Sequence, residues 1–113
     1  MIPDLWREAR EIAGRLDDEV RACAEAGAQL AQNERDYRVA LAGEQLRLRS
    51  QGLPATLIGD VARGDPRIAD LKCARDCSEA VYDAARESIN VHKKQLTVIN
   101  DQMAREWNSG GSQ

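Results

Sequence analysis

The sequence predicts an all-α protein in which two long antiparallel helices are joined by a short helical elbow. Apolar residues recur every three or four positions along both halves of the chain, a spacing typical of amphipathic helices. Charged residues make up 31% of the 113 residues and aromatic residues only 4%, a composition that favours long helices and coiled coils. Glycine and proline cluster in residues 50–66, SQGLPATLIGDVARGDP, and there regular helix must stop.

The first long helix is predicted over residues 3–51, because Pro3 suits the first helical position. A coiled-coil-like stripe follows for about five heptads, with Glu34 and Glu44 interrupting it. A kink, if there is one, is expected at Gly27, since glycine costs about 1 kcal/mol relative to alanine inside a helix. The stripe consists of Ala13, Leu16, Val20, Cys23, Gly27, Leu30, Tyr37, Leu41 and Leu48.

The elbow is predicted to reverse the chain between residues 52 and 65. Gly52 is expected to close the first helix in the left-handed conformation. Pro54 then starts a short helix over residues 54–63, and Asp65 is the expected N-cap of the next helix. The elbow should therefore plug the open end of a helical hairpin.

The second long helix is predicted over residues 66–107, and residues 108–113 are predicted to form a disordered tail. Pairing the two long helices antiparallel around the elbow places Tyr37 near Ala80. The inward-facing residues are predicted to be Ile68, Leu71, Ala74, Cys77, Val81, Ala85, Ile89, His92, Leu96, Ile99 and Met103.

Several apolar side chains need more cover than one partner helix provides. We therefore expect a homo-oligomer, most simply a dimer that forms a four-helix bundle, or a larger ring. The alternative is a three-helix monomer whose first helix folds back at Gly27. The side chains in question are Leu5, Trp6, Ile12, Leu46, Leu53, Ile99 and Trp107.

No catalytic signature is present in the sequence. His92 lies on the apolar stripe, where a structural histidine is the usual case. The stretch GDVARGD lacks the lysine and the preceding strand of a phosphate-binding loop. Three cysteines and His92 match no standard zinc spacing. We therefore expect a protein that is not an enzyme and has no cofactor or metal.

Charge and hydropathy limit the classes of partner that the protein is expected to bind. The net charge of −3 argues against simple coating of nucleic acid. Residues 35–75, however, carry eight basic and five acidic side chains, so positive charge gathers around the elbow. No apolar stretch is long enough to cross a bilayer, and the N-terminus MIPDLWREAR lacks a signal-peptide core. A cytoplasmic protein with no membrane partner is expected.

The elbow is the candidate binding site. Arginines converge on it from both long helices and from the short one, and a helix N-terminus with nearby arginines can hold a phosphate or a carboxylate. Leu53, Pro54 and Ile58 would form an apolar floor. The alternative is a solvated set of ion pairs, such as Arg63 with Asp60. The candidate ligand-binding residues are Arg47, Arg49, Thr56, Arg63, Asp65 and Arg67.

A helix-turn-helix is the second interpretation of the elbow. The third helix would then place Arg67, Lys72 and Arg75 in the major groove of DNA. Asp70 and Asp76 lie among these basic residues and would repel phosphates. DNA binding therefore ranks below binding of a small anionic ligand or of a protein, and a purely structural assembly module ranks third.

The segment from residue 34 to residue 90, centred on LRLRSQGLPATLIGDVARGD, together with EW near the C-terminus, resembles small, uncharacterised all-helical proteins of temperate bacteriophages. The resemblance transfers no catalytic motif. It implies a protein of the infected bacterial cytoplasm that antagonises host defence, either by sequestering a nucleotide-derived signal or by binding a host defence protein. It also leaves open an accessory role in phage DNA recombination or replication.

Overall fold

The structure is a computed structural model that describes residues 1–111. It contains three α-helices, α1 (Ile2–Ser50), α2 (Ala55–Gly64) and α3 (Pro66–Gly111), and no strand within the described residues. The predicted all-α class with two long helices is therefore confirmed. Helix α1 continues without a break through Gly27. Helix α3 passes the predicted end at residue 107, so the expected tail is helical as far as Gly111, and residues 112–113 lie outside the described part.

The chain divides into two compact units. The elbow unit is Glu25–Tyr82, and the terminal unit contains residues 1–24 and residues 83–111. Each unit takes part of α1 and part of α3, and only the elbow unit contains α2.

The inward-facing stripes of α1 and α3 contain more polar residues than the sequence analysis predicted. Val20 is exposed, whereas Glu19 beside it is half-buried. On α3, Ala74, Cys77 and Val81 are exposed, and the next residues, Arg75, Ser78 and Tyr82, face inward instead. The predicted stripe was wrong at these places because it followed apolar residue types, whereas the heptad spacing continues through polar residues that find partners on the facing helix.

The register between α1 and α3 in the elbow unit also differs from the prediction. The Arg75 guanidinium lies over the ring of Tyr37, 4.6 Å from its centroid, so Tyr37 does not face Ala80, five residues further along. The amide of Asn33 donates to the Ser78 hydroxyl and to the Ala74 carbonyl. These polar contacts fix the register, because a shifted pairing would leave half-buried polar groups without partners.

The elbow itself follows the local rules that predicted it. Gly52 has φ +83°, its amide donates to the Arg49 carbonyl, and the Leu53 amide donates to the Leu48 carbonyl, which is the Schellman pattern of a helix C-terminus. The Asp65 carboxylate accepts hydrogen bonds from the backbone amides of Arg67 at 3.0 Å and Ile68 at 3.3 Å. Asp65 is therefore the N-cap of α3, as predicted.

The two units differ in how completely they bury their apolar side chains. In the elbow unit Ala62 and Ile68 have no exposed surface. The terminal unit centres on Ala9, Ile12 and Ile99, with half-buried neighbours at Leu5, Leu16, Leu96 and Met103. Of the side chains expected to need further cover, Ile12 and Ile99 are buried within the chain, whereas Trp6, Leu46 and Trp107 remain exposed.

Candidate binding surfaces

A buried carboxylate occupies the middle of the predicted anion site. Glu44 is only 6% exposed, and Arg47, one turn later on α1, donates from Nε and from a terminal nitrogen to its carboxylate. The hydrogen bonds from Arg47 hold the pKa of Glu44 below its usual value against the opposing effect of burial, and the charge of Arg67 acts in the same direction. One of the predicted arginines, Arg47, therefore already neutralises an acid of the protein itself.

The other predicted site residues differ in whether they have a partner within the chain. Arg63 lies beside Gly59 and forms an exposed ion pair with Asp60 at 3.4 Å, as the ion-pair interpretation predicted. Thr56 is exposed in the first turn of α2, and Asp65 is occupied as the N-cap of α3. Arg49 forms no ion pair within residues 1–111.

The elbow groove is a mainly apolar cavity of about 830 Å³ between the end of α1 and the start of α2. Leu46, on its rim, is 66% exposed. Leu57 and Val61 add exposed apolar surface on α2. Of the predicted site residues only Arg49 lines this groove. Its lining residues are Ala42, Gln45, Leu46, Arg49, Leu53, Ala55, Ile58 and Gly59.

Two of the three basic residues proposed to read DNA, Lys72 and Arg75, are engaged with an acid. Lys72 and Arg75 both donate to the Asp76 carboxylate, at 3.0 Å and 2.9 Å. These hydrogen bonds lower the pKa of Asp76. Arg75 also packs on Tyr37 and contacts Glu34 at 3.4 Å. These contacts hold Arg75 against α1. Arg75 is therefore not a free cation on the surface.

His92 takes part in a polar contact between the helices of the terminal unit. Its Nδ1 lies 2.8 Å from the Glu19 carboxylate, and the Ser88 hydroxyl donates to the same carboxylate at 3.1 Å. Nucleophilic catalysis needs the serine hydroxyl to face a histidine that acts as base. Here both groups contact Glu19 instead, so the Glu19 carboxylate links α1 to two residues of α3. Glu19 was not predicted to face inward, because the apolar spacing favours its neighbour Val20 in the stripe.

The hairpin groove is a second cavity, of about 670 Å³, between α1 and α3 of the terminal unit. Exposed valines and four charged side chains line it above the buried Ile12 and Ile99. It was absent from the sequence-based prediction, since its charged residues occupy the outer positions of both helices. The lining residues are Glu8, Glu11, Ile12, Arg15, Val91, Lys94, Gln95, Val98 and Ile99.

Comparison with protein-family models, with curated protein sequences and with solved structures found no significant match. Among the helices that the structure describes, none has the length and apolar character needed to cross a membrane. Within residues 1–111, no three His, Cys, Asp or Glu side chains come together as metal ligands, and Cys23, Cys73 and Cys77 are free thiols. Function is therefore inferred from the elbow groove and the hairpin groove.

Proposed function

We propose that the protein is a non-enzymatic binding protein whose elbow groove accepts the apolar face of a helix from a partner protein. The observation that carries the proposal is the 66% exposure of Leu46 on the rim of a mainly apolar groove. Apolar side chains grouped on a surface favour protein contacts.

The positive charge around the elbow groove favours a partner helix that carries acidic residues. Arg49 lines the groove without an ion pair in the described part of the chain, and residues 35–75 carry a positive excess. An amphipathic helix with leucines at helical spacing and an acidic residue beside them complements both features. The resemblance to small phage proteins implies a host defence protein as the owner of that helix and the infected bacterial cytoplasm as the place of binding.

A small anionic ligand is less favoured at the elbow than a partner helix. Arg47 already binds Glu44, and Arg63 already pairs with Asp60. An anion placed between Arg47 and Arg67 would approach the Glu44 carboxylate, and the repulsion would offset the attraction. The apolar lining of the elbow groove suits leucine side chains better than phosphate oxygens.

The test uses a fluorescent amphipathic peptide of about 18 residues with leucines at i, i+3, i+4 and i+7 and flanking glutamates. Wild-type protein should bind it, and Leu46→Glu should raise the Kd at least about tenfold, because a charge replaces an apolar contact. Val39→Glu is the matched control, since Val39 is also exposed on α1 but does not line the groove. A scrambled peptide of the same composition should bind weakly to all three proteins.

Two results would contradict the proposal. One is peptide binding that survives Leu46→Glu or is lost equally in Val39→Glu. The other is a rise in the melting temperature with nucleotides that Arg49→Ala abolishes, with no peptide binding; it would favour sequestration of an anionic signal. Arg49 is the better arginine for this arm, because replacing Arg47 would leave the buried Glu44 without its partner.

A further inference from the structure

The charges that flank the hairpin groove are ordered along its length. On α1, Glu8 lies one turn before Ile12, and Arg15 lies about one turn after it. On α3, Lys94 lies one turn before Val98, and Asp101 follows Val98 by three residues on the same helix face. Both helices therefore carry an acid on one side of their central apolar residue and a base on the other.

The register of the terminal unit places like charges at the same end of the groove. Glu19 contacts His92, and the amino group of Met1 lies 3.7 Å from the Glu106 carboxylate, so α1 and α3 run antiparallel there. By this register Arg15 lies opposite Lys94. Glu8 likewise lies opposite Asp101. The groove is consequently basic at one end and acidic at the other, and Ile12, Val98 and the single acid Glu11 lie between these ends.

We propose that the hairpin groove binds a second copy of this chain, with α1 antiparallel to the partner's α1 and α3 antiparallel to the partner's α3. A two-fold axis near Ile12 and Val98 brings Glu8 onto Arg15 of the partner subunit and Lys94 onto Asp101 of the partner subunit. Val98 then packs against its own copy. A surface with opposite charges on either side of its centre complements itself in this way.

The charges also exclude the other simple two-fold arrangement. If α1 lay on the partner's α3 at the same level, Arg15 would face Lys94 of the partner subunit, and Glu8 would face Asp101 of the partner subunit. Like charges opposed in this way disfavour the contact. The antiparallel pairing of identical helices is therefore the one that the groove selects.

Two further observations favour a second copy as the occupant. Within residues 1–111, Glu8, Arg15, Lys94 and Asp101 form no ion pairs. Val98 is 62% exposed at the centre of the groove. One partner supplies cover for Val98 and opposite charges for these four side chains. This inference concerns the terminal unit and does not depend on the elbow groove.

Charge reversal at the first pair tests the interface. Wild type should sediment at twice the 12.5 kDa of one chain. Glu8→Arg and Arg15→Glu should each raise the dimer Kd at least about tenfold, because each opposes like charges twice per dimer. The double variant should recover the dimer. An equimolar mixture of the two single variants should form heterodimers, in which both pairs are complementary again.

Arg10→Glu is the matched control, since Arg10 is exposed on α1 but does not line the hairpin groove. It should dimerise like wild type, and all variants should keep the helical circular dichroism of wild type. A monomeric wild type at about 100 µM overturns the proposal, because it leaves less than about 5 kcal/mol of association. A dimer that both single variants leave intact, or a mixture that stays monomeric, also overturns it.

Discussion

The elbow unit and the terminal unit bury their apolar side chains with different numbers of helical segments. In the elbow unit α2 adds a third segment, and Ala62 and Ile68 lose all their exposed surface. The terminal unit has only parts of α1 and α3, and even Ile12, its best-buried residue, keeps 5% of its surface. Two packed helices leave an open apolar face that a third helix or a second copy covers. Helix α2 therefore gives the elbow unit fully buried residues, which the terminal unit lacks.

The largest expected difference between the units comes from isoleucine-to-alanine substitutions. Ile68→Ala should lower the free energy of unfolding by roughly 3–5 kcal/mol, because the surroundings of a fully enclosed side chain cannot collapse into the cavity. Ile99→Ala in the terminal unit is the matched variant. It should cost at least about 1 kcal/mol less under dilute conditions, because its neighbours are closer to solvent and can relax. Denaturant unfolding followed by circular dichroism measures both, and equal costs would remove the distinction between the two cores.

Gly52→Ala should destabilise the elbow by roughly 1–2 kcal/mol, since φ +83° requires a left-handed residue at that position. Gly64→Ala is the control, because Gly64 ends α2 without a positive φ and a Cβ there would meet no atom within 4 Å. The control should be neutral or slightly stabilising. Thermal unfolding of the two variants compares them directly. A harmless Gly52→Ala would contradict the assigned helix ending.

Glycines inside α1 give a smaller effect that probes packing within the elbow unit. Gly43→Ala should stabilise by about 1 kcal/mol through helix propensity, since an added Cβ at Gly43 would meet no atom within 4 Å. At Gly27 the Cβ would lie 3.2 Å from Tyr82 Cε1, so Gly27→Ala should stabilise less than Gly43→Ala or destabilise. Equal gains in melting temperature at the two sites would show that the approach of Tyr82 does not explain the glycine.

Glu44→Gln should have the smallest effect at neutral pH, because glutamine still accepts a hydrogen bond and Arg47 is half-exposed to water. The difference appears on acidification. A carboxylate whose folded pKa is lowered stabilises the protein above its unfolded pKa of about 4.3 and loses that contribution as pH falls through both values. Glu44→Gln should therefore flatten the decline in melting temperature between about pH 6 and pH 3.

Arg47→Gln is the companion variant for the acid titration. Without Arg47, burial of Glu44 opposes its ionisation, so stability should fall less on acidification than in wild type, or rise. Glu34 and Asp76, whose pKa values are lowered by hydrogen bonds from Arg38 and Lys72 respectively, keep part of the decline in both variants. An acid decline unchanged by both substitutions would show that the Glu44–Arg47 pair contributes nothing to it.

The elbow could be predicted from the sequence because its helix ends depend on single residues. Gly52 and Asp65 act through their own backbone and side-chain chemistry, and each has the predicted role. The inward stripe could be predicted only where it is apolar. Glu19 and Arg75 lie inside because partners on the facing helix satisfy them, and these partnerships require the register between helices, which no local pattern specifies.

The candidate site could be predicted as a region but not as a set of contacts. Arg49 lines the elbow groove, whereas Arg47 is held by Glu44. The sequence did indicate that Glu44 has a cationic partner, since an acid at a stripe position of a long helix must find a cation. The hairpin groove had no such signal, because its charges become ordered only once α1 and α3 are placed side by side.

Hydrogen exchange at two protein concentrations tests the contrast between the units most directly. The amides of residues 5–20 and 90–103 should be better protected at about 100 µM than at about 1 µM, because mass action favours the dimer that covers the hairpin groove. Amides of residues 37–75, in the elbow unit, should change much less. Protection that is independent of concentration in both units, with sedimentation of a single chain, would contradict the account.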